Sequence, residues 1–499
     1  MIQSGKEAVI QTSTLDNSNN GSIDADSIDL TADSVNNAAG AIRTNQQLKA
    51  QIGSSLNNQG GEFGSGGDVL LNSEGESHLA VDNSNGGKII AGKDAYLNTE
   101  SIKNNNKGII SSENLHLKAS VSINNSGNGV IQSGKEAVIQ TSTLDNSNNG
   151  SIDADSIDLT ADSVNNAAGA IRTNQQLKAQ IGSSLNNQGG EFGSGGDVLL
   201  NSEGESHLAV DNSNGGKIIA GKDAYLNTES IKNNNKGIIS SEKNLNLKAA
   251  RVENKSEGII QAGKQLKAQI DEKLDNTGGN IVSNEELLLN ADGPGNLVLN
   301  NSANGQIQAG KGAVIQASTL DNSNNGSIDA DSIDLTADSI DNTAGNIRAN
   351  KQLNAQINQK LLNQYGQISS ADNVNIHDQL HNTLEIDNTK NGKILAGNDL
   401  NLQAKKLDYA STDDAGIAAG HDASIDLTDD FNINGNISAN AGLKLHSNGK
   451  IINNHNVIGD SVIIDASRID NRAAGTIQSN KHTELNVQDS VINRGLIKQ

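Results

Sequence analysis

The sequence has little of what fills an ordinary globular core. Among 499 residues there is no cysteine and no tryptophan, and there are three phenylalanines, four tyrosines and one proline. A chain of this length would otherwise form about three globular domains, but the scarcity of aromatic side chains argues against them. One proline beside 52 glycines excludes collagen-like and proline-rich classes. Because no apolar run approaches the roughly 18 residues of a transmembrane helix, we expect no transmembrane segment.

Positive charge is also in short supply. There are 37 lysines and arginines against 59 aspartates and glutamates, which gives a formal net charge of -22. An acidic surface repels phosphate groups, so we expect no nucleic-acid partner. An apolar content of 34% combined with this charge would suit a disordered chain. However, Ile, Leu, Val and Ala recur at fixed offsets, and we therefore predict an ordered repeat protein.

Internal repetition is the strongest signal in the sequence. Residues 2–113 recur without change as residues 131–242, and a third, diverged copy begins near Gly305. We expect one continuous repeat segment over residues 1–499. Its repeat blocks are 2–130, 131–304 and 305–415, followed by diverged turns over 416–499.

The structural unit within these blocks begins at a glycine and runs about 21 residues, as from Gly108 to Gly129 and on to Gly150. Inside each unit the apolar residues alternate, which is the period of a strand. We predict three short strands per unit, separated by turns rich in Asp, Asn, Ser and Gly. In the unit that begins at Gly216 the alternating residues are Ile218, Ala220, Ala224, Leu226 and Ile231.

One turn of three short strands cannot bury its own inward side chains, so successive turns must stack. We therefore predict an all-β fold, a right-handed parallel β-helix with about 21 residues and three short strands per turn. At a strand spacing of about 4.8 Å, roughly 23 turns would make a rod around 110 Å long. Asn146, Asn254 and Asn322 lie at matching offsets, which predicts a ladder of amide side chains at one corner.

Some units are longer, with 26 residues, as from Gly61, Gly190 and Gly366, and their extra residues must leave the stack as loops. The loops contain the segments NSEGESHLAV at 201–210 and HDQLHNTLEI at 377–386. Loops of this kind often contact partners, although an exposed polar loop without a ligand is the default interpretation. The candidate partner-contact residues are Glu203, Glu205, His207, His377, Asp378 and His381.

The turn DNSNNG at 145–150 resembles the first half of an EF-hand loop, but Ser156 stands where the twelfth position needs a bidentate glutamate. We interpret it as an Asx-rich turn and expect no metal and no cofactor. Asp153, Asp155 and Asp158 alternate along a strand. They predict a solvated acidic face rather than a calcium site.

Catalysis is the alternative function that this fold class raises, since some right-handed β-helices cleave polysaccharides in an external groove. Such a site needs one cluster of carboxylates with Arg or Lys, walled by long loops. Arginine is scarce in this chain, and duplicated blocks present the same side chains repeatedly. Repetition favours a function that scales with length or with multivalent contact. We therefore expect that the chain is not an enzyme.

The segments GKIIAGKDAYLNTESIKNNNKG at 216–237 and GKILAGNDLNLQAKKLDYAS at 392–411 resemble a known repeat. They are similar to the filamentous haemagglutinin repeats of Gram-negative two-partner-secretion exoproteins. That family includes large adhesins, some of them virulence factors, and the stalks of contact-dependent inhibition toxins. The resemblance covers essentially the whole chain.

This resemblance implies a secreted or cell-surface protein of a Gram-negative bacterium, exported through an outer-membrane partner transporter. It implies an adhesin stalk segment that attaches to a receptor or glycan on host or bacterial cells or to matrix. The alternative is a non-adhesive stalk that delivers a C-terminal toxin, and a polysaccharide-degrading enzyme is the third. The family's N-terminal secretion domain and any C-terminal effector are not matched. Met1 occupies the position of Val130, and LIKQ ends within a turn, so we expect an interior segment.

Overall fold

The computed structural model describes residues 1–72, 75–201, 206–290, 296–379, 382–412 and 416–499. Within these ranges the regular structure consists of β-strands, and no helix is present. It follows that these ranges contain no helix of the length and hydropathy that crossing a bilayer requires. The chain forms two compact units, Met1–Ala249 and Ala250–Gln499, each of which is a stack of parallel turns. The predicted all-β solenoid is therefore confirmed.

The strands of the first unit are short or are bent at corners. They are β1 Ile2–Gln3, β2 Glu7–Asp16, β3 Ser22–Asn36, β4 Ala41–Asn57, β5 Glu62–Ser65, β6 Asp68–Leu71, β7 Ala80–Asp82, β8 Lys88–Ala91, β9 Asp94–Lys103, β10 Ile109–Ser112, β11 Asn114–Asn124, β12 Val130–Ser133, β13 Glu136–Asp145, β14 Ser151–Asn165, β15 Ala170–Asn186, β16 Glu191–Ser194, β17 Asp197–Leu200, β18 Ala209–Asp211, β19 Lys217–Ala220, β20 Ala224–Asn227, β21 Ser230–Lys232, β22 Ile238–Ser241 and the start of β23 Leu245–Glu253.

The second unit continues with strands of the same kinds. They are β24 Ile259–Ala262, β25 Leu266–Asp275, β26 Asn280–Ser283, β27 Leu287–Leu289, β28 Val298–Asn300, β29 Gln306–Ala309, β30 Gly312–Gln316, β31 Thr319–Asp321, β32 Ser327–Asp341, β33 Asn346–Leu362, β34 Gln367–Ser370, β35 Asn373–His377, β36 Glu385–Asn388, β37 Lys393–Ala396, β38 Leu400–Ala404, β39 Lys406–Ala410, β40 Ile417–Ala419, β41 Ala423–Leu427, β42 Phe431–Asn434, β43 Ile437–Ala439, β44 Gly442–Asn453, β45 Asn456–Asn471, β46 Thr476–Asn493 and β47 Leu496–Lys498.

Each turn contains three strand segments, as predicted. In the 26-residue turn that follows Gly190 they are the separate strands β16, β17 and β18. In shorter turns one strand bends twice, and β14 pairs with β15 with register shifts between Ala154 and Ser156 and between Ala161 and Ser163. Such shifts place an extra residue at a corner and turn the strand direction.

The core of each unit is a set of inward columns in which like side chains lie in register on successive turns. One column of the first unit runs from Ile152 through Ile171 and Phe192 to Ile218, and each of these side chains is at most 1% exposed. Burying one such side chain contributes about 1.5–3 kcal/mol. Because every turn adds several, the stabilisation is distributed along the stack.

A column of asparagine side chains fills one corner of the first unit. Each Nδ2 donates a hydrogen bond to the Oδ1 of the asparagine on the next turn, over 2.7 or 2.8 Å. A second hydrogen bond joins each of these Nδ2 atoms to a backbone carbonyl, as from Asn146 to Ala170 at 2.9 Å. Buried amides are thereby satisfied. The members are Asn17, Asn37, Asn58, Asn83, Asn104, Asn125, Asn146, Asn166, Asn187, Asn212 and Asn233.

The second unit contains the same ladder with an interruption. The predicted ladder residues Asn254 and Asn322 belong to it, with Nδ2–Oδ1 distances of 2.6–2.8 Å along the column. Asn388 is its last member before Tyr409 and Ile433 take the same register position. The ladder resumes at Asn453. Its earlier members are Asn254, Asn276, Asn301, Asn322, Asn342, Asn363 and Asn388.

The ladder explains the glycine that begins each turn. Gly150 follows Asn148 and Asn149, which adopt φ angles of 55° and 65° in the left-handed region. A Cβ on Gly150 would lie 2.5 Å from the backbone oxygen of Asn125 on the previous turn. Only a residue without a side chain permits the close approach of two backbones at this corner.

Candidate functional site on the outer face

Three of the six predicted partner-contact residues lie within the described residues, next to the long turns. His207 is exposed just before β18, and His377 is half-buried at the end of β35. The structure places His377 directly before Asp378, whose side chain is fully buried. Glu203, Glu205 and His381 lie outside the described residues. Partner contact by these residues stays a prediction.

The buried side chain of Asp378 stabilises the loop through hydrogen bonds to Thr383 and Leu384. Its Oδ2 atom accepts hydrogen bonds from the backbone N–H of Thr383 at 2.7 Å and of Leu384 at 2.8 Å, and from the Thr383 hydroxyl at 3.0 Å. In the first unit Asn201 has a comparable role, since it donates to the Ile181 carbonyl over 2.7 Å and to Ser206 over 3.0 Å. A buried polar side chain therefore holds each loop where it leaves and rejoins the stack.

The DNSNNG segment is an Asx turn, as expected. Asp145 accepts the backbone N–H of Ser147 and the Nδ2 of Asn165, both at 3.1 Å. Asn146 points inward to the ladder. Asp145, at the first position of this segment, thus holds the turn through its side chain.

The predicted acidic face is paired across turns. Asp153 accepts a hydrogen bond from Arg172 at 3.0 Å, and Asp155 accepts one from Asn174 at 2.7 Å. In the first repeat copy, hydrogen bonds from Ser22 and Arg43 lower the pKa of Asp24, which corresponds to Asp153. These partly exposed pairs contribute little stability individually, but they fix the orientation of the outer side chains.

An open depression of about 580 Å³ adjoins Arg172. In this outward column Arg172 is followed by Gly193 and then Ile219, so one turn contributes no side chain. Glu191 and Asp153 flank the guanidinium group at 3.5 and 3.0 Å. The first copy has the same column, with Arg43, Gly64 and Ile90 at the corresponding positions, and we infer the same depression there from its identical sequence.

A second cluster, which sequence reasoning missed, lies on the outer face of the second unit. Nδ1 of His421 lies 3.0 Å from Oδ1 of Asp399 on the preceding turn and 3.3 Å from Oδ2 of Asp422. The hydrogen bond to Asp399 and the charge of Asp422 raise the pKa of His421, and the imidazole lowers the pKa of Asp399. The signal in the sequence was the match of AGND at 396–399 with AGHD at 419–422.

Comparison with known protein families gives one result. The haemagglutinin repeat family matches the chain in seven overlapping segments, at residues 18–76, 77–128, 114–163, 154–235, 208–293, 275–340 and 330–383. No curated protein and no solved structure matches the chain. The matched segments together cover most of the residues, and they follow the repeated turns that build the two units.

Proposed function

Because the chain belongs to the haemagglutinin repeat family, we propose that it is a stalk segment of a secreted or cell-surface adhesin from a Gram-negative bacterium. Proteins of this family are surface or secreted adhesins, and the family is structural rather than enzymatic. The observation that carries the proposal is the repetition itself. Seven matched segments follow turns with the same buried columns, so the chain builds length and repeated outer surface.

The outer face of the first unit supports attachment by repeated contacts. The depressions at Arg43 and Arg172 have the same residues and lie about six turns apart, which at about 4.8 Å per turn is roughly 29 Å. Two identical weak sites on one scaffold raise the strength of attachment to a surface that carries many copies of a ligand. The proposed partner is a receptor or glycan on a host or bacterial cell.

Export belongs to the same proposal. An exoprotein of this family would leave through an outer-membrane partner transporter and fold outside the cell. No cysteine is present to form stray disulfides in an oxidising periplasm. A strand added to an existing turn pairs the backbone groups that face that turn, and its other edge is the template for the next strand.

Binding of the purified chain to cells tests the proposal. The fluorescently labelled chain should bind host or bacterial cells saturably, and unlabelled chain should compete. The double variant R43Q/R172Q should bind at least about tenfold more weakly, because loss of both contacts removes the multivalent gain. The control is R251Q, which removes a more exposed arginine that pairs with Glu272 outside the depressions.

Two rival functions predict other outcomes. A non-adhesive stalk that delivers a C-terminal toxin would show no saturable binding to any cell type. A polysaccharide-degrading enzyme would release reducing sugar ends from a glycan panel. Either result would overturn the adhesin proposal. Unchanged binding by R43Q/R172Q would show that the contact lies outside the depressions.

A further inference from the structure

We propose that Asp399, His421 and Asp422 form a binding site for a divalent transition-metal ion, with Zn²⁺ as the favoured ion. The three side chains offer one imidazole nitrogen and two carboxylate oxygens, all within 4.8 Å of one another. They come from two successive turns of the second unit. Among the described residues this is the one such group of three.

The distances suit shared coordination. Zinc binds nitrogen and oxygen ligands at about 2.0–2.2 Å in tetrahedral geometry, so neighbouring ligand atoms lie roughly 3.3–3.5 Å apart. The Nδ1 atom of His421 is 3.0 Å from Asp399 and 3.3 Å from Asp422. Small rotations of partly exposed side chains are therefore enough to place all three atoms around one ion.

The backbone holds both carboxylates in place. Oδ1 of Asp399 accepts the backbone N–H of Asp422 at 3.1 Å, and Oδ1 of Asp422 accepts the backbone N–H of Gly442 at 2.7 Å. Hydrogen bonds to ligating groups fix their orientation and raise metal affinity. Because Oδ1 of Asp422 is held by a backbone N–H, its Oδ2 atom faces the imidazole of His421.

The ligand set selects the class of ion. Imidazole nitrogen suits Zn²⁺, Cu²⁺, Ni²⁺ and Fe²⁺, whereas Ca²⁺ and Mg²⁺ prefer oxygen ligands alone. Three protein ligands on a partly exposed surface leave the fourth position to water or to a donor from another molecule. The cluster lies beyond residue 383, where the matched haemagglutinin repeat segments end.

The residues at equivalent positions of the preceding turn indicate which substitutions should preserve the local structure. On the preceding turn Asn373 accepts the backbone N–H of Asp399 at 3.1 Å, as Asp399 does for Asp422. The variant D399N should therefore keep this hydrogen bond while removing the negative charge. Similarly, Asn398 lies under His421 in the stack and its carbonyl accepts the His421 backbone N–H at 2.9 Å. The variant H421N therefore places at residue 421 the residue type that the preceding turn has at the equivalent position, Asn398.

Calorimetric titration of the full chain with ZnCl₂ at pH 7.5 tests the site. We expect one equivalent to bind, and we expect D399N and H421N each to weaken it at least about tenfold, since even the loss of a group that supports a ligand lowers affinity 10–100-fold. The control is H482Q, because His482 contacts one carboxylate, Glu484 at 3.3 Å, and should leave binding unchanged.

Cobalt provides an independent readout. Co²⁺ bound through nitrogen and oxygen absorbs visible light, and this absorption should appear with the wild-type chain and H482Q and be lost in H421N. Circular dichroism of each variant verifies the β fold. No zinc equivalent in the wild-type chain, or wild-type affinity in both D399N and H421N, would overturn the proposal. Cell binding is measured separately, so failure of this site leaves the adhesin proposal standing.

Discussion

Tyr409 takes the register position that follows Asn388, so a phenol ring interrupts the column of asparagine side chains. The ring is buried, and its hydroxyl donates a hydrogen bond to the Asn436 carbonyl at 2.5 Å. Gly435 makes room, because a Cβ there would lie 2.7 Å from the ring. One aromatic residue therefore replaces an amide, and its own hydrogen bond satisfies the hydroxyl that it buries.

Shortening Tyr409 should separate the contribution of the hydroxyl from that of the ring. Tyr409→Phe should destabilise the surrounding turns by about 1 kcal/mol, which is the value of a typical hydrogen bond. Tyr409→Ala should cost about 3–5 kcal/mol through the cavity it leaves. Hydrogen exchange of amides in residues 385–412 and 416–453 measures both. Equal losses in the two variants would show that the hydroxyl, not the packing of the ring, dominates.

Alkaline pH should weaken the same region. Burial raises the pKa of Tyr409 because the phenolate would be desolvated. An unfolded tyrosine ionises near pH 10, so above that pH the unfolded state releases a proton that the folded state retains. The stabilisation is present below about pH 10 and is lost as the pH rises further. Absorbance at 295 nm, taken as the difference between wild type and Tyr409→Phe, should rise only when these turns unfold.

Breaking the asparagine ladder should be costly at any one turn. Asn146→Ala removes the Nδ2 group that donates to Asn166, and it also removes the Oδ1 atom that accepts a hydrogen bond from Asn125. A buried polar group left unsatisfied costs about 1–3 kcal/mol. Urea denaturation should detect this loss, whereas Gln140→Ala on the exposed face should stay within about 0.5 kcal/mol of wild type. Equal stability of the two variants would contradict a structural role for the ladder.

The corner glycines should not tolerate a methyl group. A Cβ on Gly169 would collide with the backbone oxygen of Asn146, whereas the nearest atom to a Cβ on Gly134 is 3.7 Å away. We expect Gly169→Ala to lose about 1–3 kcal/mol through overpacking, and Gly134→Ala to be nearly neutral. Thermal unfolding followed by circular dichroism measures the contrast. A neutral Gly169→Ala would show that the corner can widen.

The imidazole of His421 should titrate above its ordinary range. The hydrogen bond to Asp399 and the charge of Asp422 raise its pKa from 6.5. Because the folded value is the higher one, this contribution to stability is present below pH 6.5 and is lost as the pH rises through the folded pKa. NMR titration should place the His421 pKa above 6.5 and lower it in D399N. An unchanged value in D399N would exclude Asp399 as the main cause.

Much of the fold could be predicted because exact repetition reveals register. The matching offsets of Asn146 and Asn322 predicted the ladder, and alternating residues predicted three strands per turn. The break at Tyr409 could not be predicted, since the repeat has diverged there and nothing local distinguishes an inward tyrosine from an exposed one. The burial of Asp378 could not be predicted either. An aspartate that accepts hydrogen bonds from backbone N–H groups has the same sequence pattern as an exposed one.

The cluster of Asp399, His421 and Asp422 was not predicted, because it forms between diverged turns. His421 and Asp399 are 22 residues apart, so their contact requires the register of two turns rather than any local motif. The loops were predicted from the longer spacing of their turns, but spacing carries no information on which loop side chains point outward.

The asparagine column has a sense of direction. In the first unit each side-chain amide points its N–H toward the C-terminal neighbour and its oxygen toward the N-terminal one, from Asn17 to Asn233. A partly folded chain that has completed its early turns would thus present a bare N–H group at the growing corner, ready for the next asparagine oxygen. Assembly that starts from the N-terminal side therefore meets a template at each step.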